Sequence, residues 1–256
     1  MKEFTKLVRI MARLRHPRRG CPWDLEQTPQ TLKNYVLEEA HELLEAIDRG
    51  RDGEIREELG DLLLQIVFLA QMAEEKNQFS IRDVIAGLSE KLVRRHPHIF
   101  GQVRVNGADE VKTNWEKIKI AEKNKESVIS DYPPAMPQLL LANRIASQAS
   151  GVGFDWDDAE KAFAKIDEEI EELRAEIRAG RTDEVENEIG DLLFAMANVA
   201  RLLKINPEFA LAGTNKKFTS RFRFIEAELK KQGRDIRQAT LQEMDELWQR
   251  SKAERE

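Results

Sequence analysis

Glu38-Glu39-Ala40-His41-Glu42, answered by Glu58-Leu59-Gly60-Asp61, is the stretch that decides how this 256-residue chain folds. The plan returns as Glu168-Glu169-Ile170-Glu171-Glu172 and Glu188-Ile189-Gly190-Asp191, each matched position 130 residues further on. A duplicated unit sets the domain count before any fold is assigned. On an α-helix, side chains three apart leave the same face. Glu39 and Glu42 therefore project together, as do Glu58 and Asp61 on the next helix. The intervening Asp48-Arg49-Gly50-Arg51-Asp52-Gly53 is turn-forming. A connection this short makes the two helices antiparallel neighbours. The spacing predicts two facing carboxylate pairs: Glu39, Glu42, Glu58 and Asp61 in the first copy, Glu169, Glu172, Glu188 and Asp191 in the second.

Unit charges about 4 Å apart interact by roughly 4 kcal/mol per pair at an effective dielectric of ~20. Four inward-facing carboxylates therefore need a cation or must take up protons. Hard divalent ions suit such all-oxygen ligands, Mg²⁺ above all, with Mn²⁺ able to substitute. The alternative is that these are solvated faces of charged helices, and for a single copy the two readings stand level. The hydrophobic pattern favours the metal: Leu59, Leu62, Leu63, Ile66, Val67 and Ala70 form a broad apolar stripe, flanked by Glu58 and Asp61. A mid-helix glycine costs ~1 kcal/mol relative to alanine. Gly60 and Gly190 accept that cost at the same place twice, which suggests close helix approach or room for a ligand.

Composition narrows the classes. A net charge of −6 gives no bulk affinity for nucleic acid or for an anionic membrane. The single Cys21 cannot form an internal disulfide, so a reducing cytoplasm is the expected compartment. The opening Met1-Lys2-Glu3-Phe4-Thr5-Lys6 is amphipathic and unlike a signal peptide. No apolar run approaches the ~20 residues of a membrane span.

Periodicity predicts an all-α chain. Helices are expected over 3–15, 32–47, 54–75, 81–94 and 109–122, with Thr28 or Thr31 capping the second. Residues 18–24, around Cys21-Pro22-Trp23, read as a loop, as does the segment after His96-Pro97-His98. Residues 122–137 are polar and then proline-rich, which makes them the linker. Further helices follow over 139–150, 158–179, 183–204, 207–230 and 240–254, and Asp155-Trp156-Asp157 echoes the earlier tryptophan loop. The expected domains are 1–121 and 138–256.

The duplication extends beyond the carboxylates. Lys91 and Arg95 match Lys217 and Arg221, in each case two cations on one helical face. Such a pair beside an acidic metal cage suits a phosphate chain, whereas surface cations are the plain alternative. Trp115 matches Trp248, as core or as a stacking platform. Glu38-Glu39-Ala40-His41 contains the Glu-x-x-His spacing of carboxylate-bridged di-iron bundles. The second copy has Glu171 at the histidine position, so a di-iron site is discounted. Cys21 lacks a partner and reads as structural, and no phosphate-binding glycine loop or Ser-His-Asp set occurs.

Arg19-Gly20-Cys21-Pro22-Trp23-Asp24, Glu38-Glu39-x-x-Glu42 and Glu58-x-x-Asp61, doubled along essentially the whole chain, resemble the MazG family of nucleoside triphosphate pyrophosphohydrolases. The resemblance implies two tandem MazG-like four-helix-bundle domains, a homodimer, and Mg²⁺-dependent hydrolysis of NTPs and dNTPs to the monophosphate and pyrophosphate. Carried over by position, it places the metal on the eight carboxylates named above and the nucleotide on Lys165, Glu168, Asn187, Lys217, Arg221 and Trp248. Lys119 reaches in from the first domain, and Lys91 and Arg95 are the first-copy counterparts of Lys217 and Arg221. Glu168, or Glu38 in the first copy, is the residue expected to orient or deprotonate the attacking water. Two positions depart from the pattern. Tyr35 stands in the first copy where the second has Lys165, which weakens phosphate binding there, and Glu184 stands where a lysine is expected. A non-catalytic nucleotide-binding regulator and a narrow dUTP or dCTP pyrophosphatase are the competing readings.

Overall fold

Two short turns set the architecture. Gly50 and Gly180 occupy matched positions of the duplication, and both adopt left-handed backbone (φ 65° and 69°) at the end of a long helix. That conformation is open to glycine at little cost and closes the helix C-terminus. The next helix then starts almost at once and runs back along the first. The computed structural model describes residues 2–123, 127–129 and 132–253. Residues 124–126, 130 and 131 of the expected linker lie outside the described residues.

The chain divides into two units, Met1–Asn106 and Gly107–Glu256. The first holds α1 (Lys2–Leu14), α2 (Pro22–Glu26), α3 (Pro29–Arg49), α4 (Asp52–Glu75), α5 (Ile81–Arg95) and the single turn α6 (Pro97–Phe100). The second holds α7 (Ala108–Lys123), α8 (Gln138–Ser150), α9 (Ala159–Ala179), α10 (Thr182–Leu202), α11 (Pro207–Lys231) and α12 (Leu241–Ala253), with a 3₁₀ turn at Ile236–Gln238. No strand occurs among the described residues, and none of their helices is long and apolar enough to cross a membrane.

In the first unit α4 packs against α1, α3 and α5. Met11, Leu32 and Val67, each 1% exposed, centre a core that also takes in Phe68, Ala70, Met72 and Ile81. Burying each such side chain stabilises the fold by roughly 1.5–3 kcal/mol. Thr28 caps α3 in a reciprocal pair with Thr31: Thr31 N donates to Thr28 Oγ1 at 3.2 Å and Thr28 N to Thr31 Oγ1 at 3.0 Å. The second unit repeats the plan. There α10 packs on α8, α9 and α11, around Ala162, Ile166, Ala195 and Val199. A separate core of Ile225, Leu229 and Leu247 joins α11 to α12. Asp158 caps α9 by accepting from Lys161 N at 2.8 Å.

Three sequence expectations need revision. The apolar stripe of α4 is split, since Leu63, Val67 and Ala70 meet the core while Leu59 and Ile66 are 53% and 44% exposed. Gly60 and Gly190 face open space, with no atom within 4 Å of an added Cβ, so close helix approach is not their reason. Pro22 and Pro97 each open a short helix inside a segment read as loop. Proline at a first helical position needs no hydrogen-bonded N–H, which permits this.

Candidate active site

The facing helix pairs bring the carboxylates together as their spacing predicts, three at a time. In the first unit, oxygens of Glu39, Glu58 and Asp61 all lie within 4.8 Å of one another. Burial, then the charges of Asp61, Glu42 and Glu58, push the Glu39 carboxyl above its usual range. Glu58 is raised by burial and then by Glu42 and Asp61. Glu42 thus stands close enough to be felt, outside the tight triad.

In the second unit the triad is Glu169, Glu172 and Glu188, again within 4.8 Å. Glu188 is raised by burial first and then by Glu172, Glu169 and Asp191. Its Oε2 is buried with no hydrogen-bond partner among the described residues. A buried carboxylate oxygen without a donor is costly. Three converging carboxylates, one with an unpartnered oxygen, form a ligand set suited to a divalent cation. The acidic groups could hold a metal in either unit.

Lys165 sits beside this triad. Its ammonium pairs with Glu169 at 2.7 Å and Glu168 at 2.9 Å, and those two hydrogen bonds, Glu169 first, raise its pKa above the ordinary lysine range. Glu169 is 4% exposed, whereas Glu168 points outward. Glu168 and Glu38 are both exposed and lie outside the triads.

Next to the second triad lies a cavity of about 180 Å³. Along α9 it is lined by Ala162, Lys165 and Glu169, and along α10 by Asp191, Phe194, Ala195 and Asn198, with Trp156 from the preceding loop. Residues at i, i+3, i+4 and i+7 share a helical face, so one face of each helix builds the walls. The positions 130 earlier hold Leu32 for Ala162, Tyr35 for Lys165, Gln65 for Ala195 and Phe68 for Asn198. Leu32, Gln65 and Phe68 are buried in the first unit. Tyr35 packs edge-on against Trp23, with ring centroids 5.9 Å apart. The first copy thus sets bulk at the positions of Ala162, Ala195 and Asn198, where the second leaves room.

The remaining candidates are distributed as follows. Arg221 stacks its guanidinium over Trp248, 5.6 Å from the ring centroid, and Phe218 lies 5.1 Å from the same indole. The corner holding Trp248 is tied by Arg234, which donates to both carboxylate oxygens of Glu243 at 2.7 and 3.0 Å. Lys217 is exposed on the same helix as Arg221. Lys217, Arg221 and Trp248 belong to α11 and α12 and are not among the residues lining the cavity. Asn187 donates to Glu184 Oε2 at 3.3 Å, so the residue found in place of the expected lysine serves as its neighbour's acceptor. Lys91 is exposed and Arg95 half-buried in the last turns of α5, and Lys119 is half-buried on α7.

Sequence reading missed Asn198, Arg201 and Asp155. Arg201 donates through Nε to Asn198 Oδ1 at 2.8 Å. Its terminal nitrogens form a bidentate ion pair with Asp155, the Nη1–Oδ2 contact being 3.1 Å. The available signal was the contrast of Phe68 with Asn198 between the two copies.

A duplicated, all-α scaffold carrying facing carboxylates on paired antiparallel helices defines a class of helical proteins equipped to bind a divalent cation. A family profile described as the MazG nucleotide pyrophosphohydrolase domain matches residues 27–100 and 158–223. The chain belongs to the MazG family. It is 45% identical over 251 residues to the nucleoside triphosphate pyrophosphohydrolase/pyrophosphatase MazG of Thermotoga maritima, covering 97% of this chain and 95% of that protein. It is 43% identical over 257 residues to the nucleoside triphosphate pyrophosphohydrolase of Escherichia coli K12, covering 98% of each. The uncharacterized protein YabN of Bacillus subtilis is 46% identical over 253 residues, which span 98% of this chain and 52% of that protein.

Proposed function

We propose that this chain is a nucleoside triphosphate pyrophosphohydrolase that cleaves the α–β phosphoanhydride of NTPs and dNTPs, releasing the monophosphate and pyrophosphate, and that its working site lies in the second unit. The observation carrying this reading is the Glu169-Glu172-Glu188 triad, with its unpartnered Glu188 oxygen, opening beside a cavity that also holds Lys165. Glu169, Glu172, Glu188 and Asp191 would hold Mg²⁺, with Mn²⁺ an acceptable replacement. Divalent-cation chemistry supplies charge neutralisation on the phosphates and a more acidic water.

The chain's own groups account for the remaining needs. Glu168 stands exposed beside the triad, within reach of a water proton as general base. Lys165 carries the cationic charge nearest the carboxylates and supports the phosphates once released from Glu169. Lys217 and Arg221 offer further positive charge for the leaving pyrophosphate. Asn187 and Lys119 complete the nucleotide contacts. In the first unit, Glu39, Glu42, Glu58 and Asp61 keep a metal-ligand set with Glu38 beside it, and Lys91 and Arg95 keep the paired cations. Tyr35 there replaces the phosphate-facing lysine, and this copy serves as scaffold.

The two repeats, 1–121 and 138–256, are proposed as MazG-like domains joined by 122–137, supported by the 130-residue displacement that the carboxylate motifs share. A homodimer is supported by the exposed apolar rows Leu59 and Ile66 on α4 and Ile189, Leu193 and Met196 on α10, since rows of this kind mark interaction surfaces. The lone Cys21 supports a cytoplasmic setting.

Pyrophosphate release with Mg²⁺ across NTPs and dNTPs tests the function, comparing wild type, Glu42→Gln and Glu172→Gln. Loss confined to Glu172→Gln supports a single working site in the second unit. Comparable partial losses would mean two. No pyrophosphate from the wild type with any nucleotide would replace the enzyme by a nucleotide-binding regulator.

A further inference from the structure

The two ends of the second-unit cavity differ in chemistry. Glu169 and Asp191 mark one end, and Asn198 stands on the same face of α10 seven residues beyond Asp191. Two helical turns separate them, about 10 Å along the axis. Asn198 is 4% exposed, and buried amides ordinarily have their hydrogen-bonding capacity satisfied. Here the only partner among the described residues is Arg201 Nε, 2.8 Å from the Asn198 side-chain oxygen. A guanidinium donates and never accepts, so the amide atom facing it must be the oxygen. That leaves Nδ2, a pure donor, uncommitted on a residue that lines the cavity.

Arg201 is itself fixed. Its ion pair with Asp155 anchors the loop in which Trp156 follows directly, and Trp156 N donates to Asp155 Oδ1 at 2.9 Å. Asp155, Arg201 and Asn198 thus form a chain that sets the amide's orientation and the placement of Trp156 together. Trp156 and Phe194 add aromatic surface to the same cavity, and aromatic stacking holds nucleobases without choosing among them. A cavity of roughly 150 Å³ accepts a benzene ring, so about 180 Å³ takes the six-membered ring of a pyrimidine or purine, the ring that carries the edge to be read.

We infer that Asn198, held by Arg201 and Asp155, reads the base edge of the substrate and selects nucleotides that present a carbonyl oxygen there (uracil, thymine and guanine) over those that present an exocyclic amine (adenine and cytosine). The reason is the locked amide. A free asparagine offers donor and acceptor together and pairs with adenine through both. One whose oxygen is already engaged has only N–H to offer and meets an exocyclic NH₂ donor to donor. Unpaired buried donors are what make hydrogen-bonding sites selective. This inference rests on the pyrophosphohydrolase reading above and deepens it. The first unit has Phe68 and Gln71 at the positions of Asn198 and Arg201, so it carries no such reader.

The test is kcat/KM for Mg²⁺-dependent pyrophosphate release from UTP, dTTP and GTP against CTP, dCTP and ATP, using the full chain. The wild type should favour the carbonyl-edge group by about tenfold or more. Asn198→Asp keeps an oxygen for Arg201 and turns a second oxygen, an acceptor, to the cavity, so the preference should reverse toward CTP and ATP. Arg201→Gln releases the amide to rotate, and the ratio should fall toward one; Arg201 acts as a positioning residue, and a merely structural role would lower all substrates alike. A wild-type ratio near one, with pyrophosphate released, overturns this inference and leaves the proposed activity standing. An unchanged ratio in Asn198→Asp does the same. No pyrophosphate from any nucleotide overturns both. Because the wild-type panel decides on its own, a variant that fails to fold does not leave the question open.

Discussion

Ala162→Leu gives the second unit the residue that the first unit carries at the same place, and its outcome can be worked from the structure. Ala162 is buried and lines the cavity beside Lys165 and Glu169. Its counterpart Leu32 is 1% exposed at the centre of the first core. Three added carbons, each worth ~0.8 kcal/mol when buried, would stabilise the fold by at most about 2.4 kcal/mol. Imperfect fit in a packed wall costs ~1–3 kcal/mol, but about 180 Å³ of open space lies alongside to absorb the side chain. The expected net is a gain of ~1 kcal/mol, or a rise in Tm of roughly 2–4 °C. The same side chain would fill the space proposed for the nucleotide, so KM should rise at least about tenfold, the equivalent of 1.4 kcal/mol. Thermal unfolding and steady-state pyrophosphate release, on the same preparation, read the two effects. A stable variant with unchanged KM would refute the reasoning, because the cavity would then lie outside the substrate's path. Stability gained as activity falls is the trade-off expected where a fold keeps a functional hollow.

Other outcomes follow from the same geometry. Mg²⁺ at about 100 times its Kd should stabilise the chain by ~2.7 kcal/mol per site, and Glu188→Gln should remove the second-unit share; an identical calorimetric shift in that variant would dismiss the triad as a ligand set. Glu39, Glu58 and Glu188 are all raised in the fold, so the folded chain binds more protons than the unfolded one between the ordinary and the raised carboxylate values. The metal-free protein should therefore gain stability as pH falls from neutrality into that window and lose it as pH rises. Saturating Mg²⁺ should flatten or invert this slope, as seen by unfolding in chelator and in metal. Glu243 behaves oppositely. Arg234, then Thr240, holds its carboxyl at about 2, so its contribution is complete above the unfolded value and fades as pH falls toward about 2. Glu243→Gln should loosen the Trp248 corner at neutral pH and change little at low pH, read by tryptophan fluorescence. Thr28→Ala removes the cap of α3 and should cost ~1 kcal/mol in a urea titration.

The helix pairs were legible because their determinants are local. Gly50 and Gly180 end a helix wherever they stand, and a carboxylate spacing of three defines a face without reference to the rest of the chain. Thr28 was readable as a cap for the same reason. What the spacing left open is which three of four carboxylates would close on one another. Glu42 stands off in one copy and Asp191 in the other, a difference that depends on side-chain packing. The cavity was harder still. It arises from what is missing at Ala162, Ala195 and Asn198, and absent volume becomes visible only once α9 and α10 are set face to face. Leu59 and Ile66 mislead in the opposite sense, since periodicity marks an apolar face without saying whether this chain or a partner covers it. Pro22 and Pro97 read as breakers, yet proline is as readily a starter, and one turn of helix leaves too short a pattern to detect.

The contact between Lys165 and Glu169 has a thermodynamic consequence. Lys165 lies on Glu169, where it acts as an internal counter-ion for a carboxylate that a divalent cation would claim. A divalent cation entering there would have to displace that ammonium, and the freed ammonium would then be available to a substrate phosphate. Each ligand thereby removes part of the obstacle to the other. Binding free energies are reciprocal, so nucleotide should tighten Mg²⁺ by the same factor by which Mg²⁺ tightens nucleotide. Lys165→Gln should strengthen metal binding alone while abolishing the coupling, which titrations of each ligand with and without the other would reveal. A site built this way would hold a divalent cation weakly at rest and firmly only with a triphosphate bound.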